Sequence, residues 1–488
     1  GIFLITRAMG LSDALALACA GVYALGGMVR GPSVLLMEYE PIPRAFALGP
    51  AVLAIGLAAE RRYFAAGVAG AVAFLLHATT CAPFWIVFAV LLFVPDEPQE
   101  MKKRLWALLP LAVAAIGLKV AAALQPGVTE PQALLDHIDP AWEKLLRMRA
   151  AYLFVDVWPR IYFWQYGLML VTAAAAYWRL RRFLQPTLRF FVVGLAALGV
   201  LSLPVSWLLL EKWKWAMVAQ TQPLRTILFL ELFTLLLALV MAFELACREG
   251  RLVAAVWWAA LAFSISIDAR LLFVLTPLAL GWLAGPRAQW GSVAAAAAVA
   301  WAKPFGSVFW RGADRSELLI AVALAALLVA ASALLLRRPR VGALALVAVV
   351  AAAFVVIPGG AQLHWSGKPR NPDLDQLSAW ARAATPLRAV FLFPDAERSS
   401  FDPGIFRAQA ERALYVDWKG GGQMNFFQNF SRIWGARWEQ TLAVPFQPAE
   451  LPHFRELGIS YVGLSTSNRL PDRKPAFENK KYAVYRLD

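Results

Sequence analysis

TILFLELFTLLLALVMAFELACREGR, residues 226–251, decides the fold class of this chain. A predominantly apolar run ends at a short segment that carries Arg248 and Arg251. An α-helix rises about 1.5 Å per residue, so roughly 20 apolar residues cross the hydrocarbon core of a bilayer. The stretch therefore predicts a membrane-spanning helix followed by a basic connector.

The same pattern repeats along the chain, which is 60% hydrophobic and only 16% charged. A soluble protein of this length would carry more charge. Residues 1–357 are therefore predicted to form a polytopic helical membrane domain with about thirteen spans, several of them shorter than a bilayer requires. The predicted spans are 12–29, 44–59, 63–78, 81–95, 105–123, 163–179, 189–209, 226–245, 252–267, 271–285, 290–302, 318–335 and 341–357.

The connectors predict the orientation of these spans. If the spans alternate in direction, the basic connectors all fall on one side, which the positive-inside rule assigns to the cytoplasm. The net charge of +15 is explained in this way, and no nucleic-acid partner is expected. We predict a multi-pass protein of the bacterial inner membrane whose outer-face loops are 30–43, 124–162, 210–225 and 303–317. The basic connectors are 60–62, 96–104, 179–189, 247–251, 286–288 and 337–340.

The composition changes after residue 357. Residues 358–370 are rich in Pro and Gly and predict a linker, and residues 371–488 predict a soluble periplasmic α/β domain. A helix is predicted over 373–384, and strands are predicted in TPLRAVFLFP, ALYVDW, GISYVGL and AVYRL. The glycines of DWKGGGQMNFF, residues 417–427, match neither GxxxxGK[ST] nor GxGxxG, so a turn is favoured over a nucleotide site.

Smaller features receive simple interpretations. The aromatic and charged residues of 124–162 predict helices along the lipid headgroups. The three cysteines have no paired spacing and are expected to be small buried side chains. Asp268 and Arg270 are expected to pair with each other. No Ser/His/Asp order, HExxH or CxxC pattern appears, which argues against a protease or a redox enzyme of familiar type.

The stretch LLMEYEPIPR, residues 35–44, is the first candidate site. Glu38 and Glu40 stand two positions apart in an irregular outer loop, where both carboxylates can face one divalent cation. Mg²⁺ or Mn²⁺ prefers such oxygen ligands and accepts phosphate oxygens in its remaining positions. The alternative is a wet loop with incidental charges, in which a glutamate pairs locally with Arg44.

Two further outer features are candidates. His77 stands where Thr79, Thr80 and Pro83 interrupt an apolar run, so it either binds a phosphate, metal or hydroxyl proton or caps a helix. In EKWKWAMVAQTQPLRT, residues 211–226, Lys214 and Arg225 are suited to a lipid phosphate. Ordinary interfacial anchoring by Trp and Lys is the alternative for that stretch.

Taken together, MEYEP, the span YFAAGVAGAVAFLLHATT and the outer tail resemble the GT-C glycosyltransferases. The resemblance implies transfer of a sugar from a polyprenyl-phosphate donor to a glycan, lipid or protein acceptor on the outer membrane face. Glu38 and Glu40 would hold Mg²⁺, Mn²⁺ or the acceptor hydroxyl, beside His77. Arg225, with Lys214, would neutralise the carrier phosphate, and Arg44 is a further substrate-binding candidate. The family's first acidic loop would precede residue 1. The resemblance therefore implies either missing N-terminal spans or, if the chain begins at Gly1, a partial or inactive enzyme.

Two other classes of protein stay open. A non-catalytic membrane scaffold, or a subunit of a larger complex, would fill its outer face with apolar side chains. A lipid or polysaccharide transporter would have a pathway that opens toward the basic connectors. A glycosyltransferase would bring Glu38, Glu40, His77 and Arg225 to one outward-facing cavity.

Overall fold

A computed structural model describes residues 1–38, 42–94, 98–125, 136–301, 313–357, 371–397 and 400–487. The protein is 74% helical and has a small sheet region, which is compatible with a helical membrane protein. Glu40, the linker 358–370 and most of the loop 303–317 lie outside the described residues.

The α-helices are numbered in chain order. They are α1 Ile2–Ala8, α2 Asp13–Ala24, α3 Pro43–Ala59, α4 Tyr63–Leu91, α5 Pro98–Trp106, α6 Leu108–Leu124, α7 Pro140–Arg149, α8 Arg160–Leu180, α9 Pro186–Ser206, α10 Ala216–Thr221, α11 Leu228–Cys247, α12 Leu252–Ile267, α13 Leu272–Ala284, α14 Pro286–Trp301, α15 Ala313–Arg337, α16 Pro339–Val356, α17 Pro372–Ala384, α18 Asp402–Ala410, α19 Gln428–Thr441 and α20 Leu451–Glu456. The strands are β1 Met28–Val29, β2 Val34–Leu35, β3 Val390–Leu392, β4 Ala413–Leu414, β5 Tyr461–Ser465, β6 Phe477–Glu478 and β7 Tyr482–Arg486.

The chain divides into two compact units. The helical unit contains the described residues of Gly1–Pro126, Val155–Leu208 and Gln222–Trp365. The sheet unit contains those of Gly127–Phe154, Leu209–Thr221 and Ser366–Asp488.

Six helices of the described chain are long and apolar enough to cross a membrane. They are Tyr63–Leu91, Gln99–Leu124, Pro186–Lys212, Pro223–Cys247, Ser316–Arg337 and Pro339–Val356. Asp13–Ala24, Pro43–Ala59, Leu252–Ile267 and Ala269–Ala284 are apolar but shorter. The structure therefore supports membrane-like helices, while the thirteen spans stay a prediction.

Helix α4 is a folded hairpin rather than one straight rod. His77 interrupts its 29 residues with extended backbone angles, φ −163° and ψ 94°. Beyond this break, Cys81 Sγ lies 3.1 Å and Trp85 Nε1 3.3 Å from the carbonyl oxygen of Gly70. A straight helix would separate these positions by about 16 and 22 Å. The chain therefore turns back at His77, and Gly70 leaves room for Phe84 and Trp85 against it.

The sheet unit is built on five strands in the order β4-β3-β5-β7-β6. Strands β4, β3 and β5 are parallel, and β7 and β6 continue the sheet in antiparallel pairing. Two successive residues of β3, Phe391 and Leu392, enter two different apolar cores because successive strand side chains point to opposite faces. Helices α17 and α18 cover one face, and α7, α19 and α20 cover the other.

Helix α7 contributes an apolar face to the core that contains Leu392. Trp142 is fully buried, its Nε1 donates to the carbonyl oxygen of Met424 at 2.9 Å, and Leu145 and Leu146 are buried beside it. Asp139 caps the helix by accepting from the backbone N–H of Trp142. The headgroup-layer interpretation of 124–162 is therefore wrong for α7, whose apolar face packs on protein.

The glycine-rich stretch after β4 is a short 3-10 turn, Gly420–Asn425. Asp417 Oδ1 accepts from the backbone N–H of Gly420. A Cβ at Gly421 would stand 2.7 Å from the ring of Trp434, whereas a Cβ at Gly422 would meet nothing within 4 Å. Close packing against Trp434 thus accounts for one of the three glycines.

Candidate functional site

A carboxylate–guanidinium pair stands at the start of α3. Arg44 Nε lies 2.6 Å from Glu38 Oε1, and the two side chains are only 17% and 5% exposed. The backbone N–H of Leu35 also reaches Glu38 Oε1, at 3.3 Å. A cation in the first turn of a helix opposes the helix dipole, and Glu38 offsets that charge. The local pairing of a glutamate with Arg44, which the sequence offered as the alternative to a metal site, is therefore present between Glu38 and Arg44.

His77 caps the second arm of the α4 hairpin. Its Nδ1 lies 3.2 Å from the backbone N–H of Thr80 and 2.9 Å from both the Thr79 and Thr80 hydroxyls. A backbone N–H can only donate, so Nδ1 is an acceptor and the neutral ring carries its proton on Nε2. The sequence offered helix capping as an alternative role for His77, and Nδ1 performs that role. Nε2 remains available as a hydrogen-bond donor.

Arg225 belongs to the 3-10 turn Pro223–Ile227 that leads into α11. The charges of Arg225, Arg44 and Glu38 all act electrostatically on the ring of His77. Three of the residues selected from the sequence, Arg225, Arg44 and Glu38, are therefore within electrostatic reach of a fourth, His77, in the helical unit. They come from the loop before α3, the tip of α4 and the turn before α11.

A second charged group surrounds the β1–β2 hairpin of the same unit. Asp268 is buried and accepts from Arg270 Nε at 2.7 Å, as the sequence suggested, while Arg30 approaches it at 3.5 Å. The hydroxyl of Tyr166 donates to the backbone carbonyl of Arg30. The hairpin thus fixes Arg30 beside a buried carboxylate.

Glu231 is a functional candidate that the sequence reasoning missed. It lies in the first turn of α11, is 1% exposed, and its Oε1 has no hydrogen-bond partner within the described residues. Its charge interacts with Arg30 and with Tyr166. A single acid inside an apolar run such as LFLELF is readable from sequence, because charges at that depth are rare without a role.

We call the two charged groups and Glu231 together the polar end of the helical unit. Its arginines outnumber its carboxylates by one, and several of its side chains are largely removed from water. In such surroundings arginines bind oxyanions strongly and bidentately. The members are Arg30, Glu38, Arg44, His77, Tyr166, Arg225, Glu231, Asp268 and Arg270.

Lys214 lies in the sheet unit rather than in the helical unit. Its ammonium is 2.6 Å from Glu143 Oε1, which also accepts from Arg147 at 2.9 Å. Burial raises the pKa of Glu143, but hydrogen bonds from Lys214 and Arg147 outweigh it and lower the pKa below its ordinary value. The contact of Lys214 with a carrier phosphate stays a prediction.

The described residues do not test the expected Mg²⁺ or Mn²⁺ site, which stays a prediction. Glu38 Oε1 is engaged by Arg44, and the described residues contain no group of three or more His, Cys, Asp or Glu side chains suited to a metal. Its predicted partner ligand Glu40 lies outside those residues. We therefore assign no step of the chemistry to a metal.

Comparison of the chain with protein-family models, curated proteins and solved structures found no match.

Proposed function

We propose that this chain is a membrane glycosyltransferase that takes a sugar from a polyprenyl-phosphate donor and passes it to an acceptor hydroxyl on the outer membrane face. The observation that carries the proposal is the polar end, where Arg44 is largely buried beside Glu38 and the charges of Arg44 and Arg225 both act on His77. The GT-C resemblance of MEYEP and of the α4 sequence points to the same reaction.

The arginines of the polar end suit a lipid phosphate. Arg44 is mostly buried beside Glu38, so a phosphate there meets a guanidinium with little competing water. The Nε2–H of His77 supplies a further donor to a phosphate oxygen. The prenyl chain would lie against exposed apolar side chains of the same unit, of which Val113 and Ile116 on α6 are 63% and 64% exposed.

The reaction needs little beyond placed charges and one base. The bond between the sugar's anomeric carbon and the phosphate oxygen breaks, and the phosphate leaves with the electron pair. The acceptor oxygen bonds to that carbon and passes its proton to the carboxylate of Glu38. Arg225 and Arg44 stabilise the charge that grows on the departing phosphate.

The composition of the sheet unit supports the proposed orientation. Ile138 N donates to the carbonyl of Lys214 at 2.7 Å, and Trp142 of α7 reaches Met424. Segments around 136–154, 209–221 and 371–487 therefore share one compartment, since they pack in one unit. If the spans alternate as the sequence predicts, all three lie opposite the basic connectors, which we propose to be the periplasm of a bacterium.

A transfer assay tests this function. The full-length protein, reconstituted in liposomes, is supplied with polyprenyl-phosphate-linked sugars and a lipid extract as acceptor source. Arg225→Ala is expected to reduce transfer by about 10²–10³-fold, as does removal of one oxyanion-stabilising group in other enzymes. The exposed Arg340→Ala, which removes a charge at a basic connector, is the matched control and should leave the rate unchanged.

Two results would count against the enzyme. Transfer that is insensitive to both Arg225→Ala and Glu38→Gln would remove the assigned roles. Absence of transfer with every donor, in folded protein, would favour the scaffold, and uptake of the donor without transfer would favour the transporter.

A further inference from the structure

The sheet unit has a cavity of about 930 Å³ that the proposed reaction does not use. Half of its lining residues come from the chain that follows each parallel strand: 393–397 after β3, 416–418 after β4 and 468–471 after β5. Parallel strands end at the same edge of a sheet, so these three stretches meet there. The cavity therefore occupies the carboxyl edge of the parallel strands.

That edge is also a point where the chain changes face. The chain after β3 continues into α18, which packs on one face, while the chain after β4 leads to α19 on the other. Neighbouring strands whose connections leave in opposite directions open a crevice between them, and open α/β sheets bind ligands in such crevices. The topology alone thus favours a ligand site here.

Asp395 gives the cavity its chemical character. Its Oδ2 is fixed by the backbone N–H of Ser465 at 2.7 Å, the Ser465 hydroxyl at 2.8 Å and the Asn468 amide at 3.0 Å. Every one of these donors is neutral, and within the described chain neither Oδ1 nor Oδ2 of Asp395 has a cationic partner. Asp395 is partly buried, and a carboxylate held in place without a counter-ion attracts a cation that enters the cavity.

The other charged side chains of the lining are already matched. Lys144 pairs with Glu439 at 3.1 Å, and Arg469 pairs with Glu478 at 3.2 Å. Asp417 is buried, and its Oδ2 has Arg407 at 3.2 Å. Among the described lining residues the uncompensated charge is therefore negative and centred on the stretch after β3, where exposed Glu397 adds to Asp395.

Aromatic rings line the same space. Trp418 and Trp438 stand 5.2 Å apart, and Phe393 and Phe446 also border the cavity. Aromatic faces attract organic cations, and they offer apolar contact to the carbon skeleton that carries the charge. Carboxylate and aromatic rings together suit a protonated amine on an organic body, and they disfavour a phosphate.

We propose that this cleft binds the protonated amino group of an organic amine, with Asp395 as its counter-ion and the tryptophan-lined wall against its carbon skeleton. The amine could be supplied by an amino sugar, a free polyamine or an aminoalcohol headgroup. The proposal does not rest on glycosyl transfer, since the polar end contributes none of its residues.

Isothermal titration of the full-length protein in nanodiscs tests the proposal. The probes are the glucosamine trisaccharide, spermidine, phosphoethanolamine and, as matched neutral partner, the N-acetylglucosamine trisaccharide. The strongest amine probe identifies the source of the amino group. We expect at least one amine to bind about tenfold or more tightly than the acetylated trisaccharide. Equal affinity for the neutral trisaccharide, or no binding by any amine, overturns the proposal.

Variants locate the binding in the cleft. Asp395→Asn keeps an oxygen for Ser465 and Asn468 but removes the charge, so affinity for the amine should fall about tenfold or more. Glu456→Gln, an exposed acid of the same unit, should leave affinity unchanged. Ala443→Arg adds a bulky cation to an exposed lining position and should abolish binding. Unchanged affinity in a folded Asp395→Asn protein contradicts the assignment.

Arg225→Ala separates this proposal from the proposed function. It should reduce sugar transfer by about 10²–10³-fold and leave amine binding intact. Loss of amine binding in that variant would place the amine at the polar end and overturn the cleft.

Discussion

The polar end of the helical unit and the cleft of the sheet unit both gather charged side chains, but with opposite character. At the polar end arginines exceed carboxylates, and the pair of Glu38 and Arg44 is largely buried. In the cleft the unmatched charge is that of Asp395, beside aromatic rings. Our two proposals therefore give one chain an oxyanion site and a cation site.

The difference teaches that net composition is a poor guide to what a site selects. The chain as a whole carries +15, yet the cleft of the sheet unit has an excess of acidic side chains among its described lining residues. What counts is which charges already have partners. Arg469 and Lys144 form ion pairs with acids in the sheet unit, so their charges are already neutralised. The unpaired charge of the described cleft residues is therefore that of the carboxylates, chiefly Asp395.

The largest expected effect comes from breaking the pair at the polar end. Arg44→Ala leaves Glu38 as a buried charge without its cation, which should destabilise the fold by about 3–5 kcal/mol. Adding Glu38→Leu removes that charge as well and should restore most of the loss. Thermal unfolding of the wild type, the two single variants and the double variant in detergent gives the interaction energy of the pair. A loss under 1 kcal/mol in the single variant would show that the pair is solvated.

The next effect concerns the turn at the edge of the sheet. Gly421→Ala drives a methyl against the ring of Trp434 and should destabilise the protein by about 2 kcal/mol. Gly422→Ala meets open space and should change the free energy of unfolding by less than about 0.5 kcal/mol. Chemical denaturation of both variants provides the comparison, and equal effects would contradict the packing role.

A pH-dependent contact tests how the sheet unit holds its charges. Burial raises the pKa of Asp402, but hydrogen bonds from Tyr482 at 2.7 Å and Lys481 at 3.0 Å lower it below the ordinary value. A lowered folded pKa contributes stability that is present above about pH 4 and is lost as pH falls through the folded value.

Tyr482→Phe should therefore reduce stability by about 1 kcal/mol at pH 7. The difference between the variant and the wild type should shrink below about pH 4, once Asp402 is protonated. Unfolding titrations at several pH values measure this change. A difference that is constant down to pH 2 would mean that Asp402 does not depend on Tyr482.

The smallest effect concerns Lys214. Its ion pair with Glu143 is partly exposed, so Lys214→Met should reduce stability by only about 0.5 kcal/mol. If this pair is the whole role of Lys214, sugar transfer should stay at the wild-type rate, as in the control Lys212→Met. A large loss of transfer with unchanged stability would return Lys214 to the phosphate-binding group and weaken the contrast between the two units.

Much of the local structure was accessible from the sequence. The strands β3, β5 and β7 overlap the predicted apolar stretches, and α17 spans Pro372–Ala384 against a predicted 373–384. The Asp268–Arg270 pair was also foreseen. These features depend on short-range patterns, such as helical spacing and neighbouring opposite charges, which a sequence displays directly.

Long-range packing was not accessible. Pro223–Cys247 and Gln99–Leu124 both contain a long apolar run in the sequence. In the structure, 100% of the first run and only 11% of the second are buried. Likewise the amphipathic face of α7 is equally suited to lipid and to protein, and only the fold shows Trp142 against Met424. Periodicity gives the apolar face of a helix but not what covers it.

Binding of the bare carrier tests the central claim most directly. Full-length protein in nanodiscs is titrated with a polyprenyl phosphate and with the matching polyprenol, which differ only in the phosphate. We predict at least about tenfold tighter binding of the phosphate, and loss of that preference in the folded Arg225→Ala protein. Equal binding of the two lipids, or a preference that survives Arg225→Ala, would contradict the assignment of the polar end.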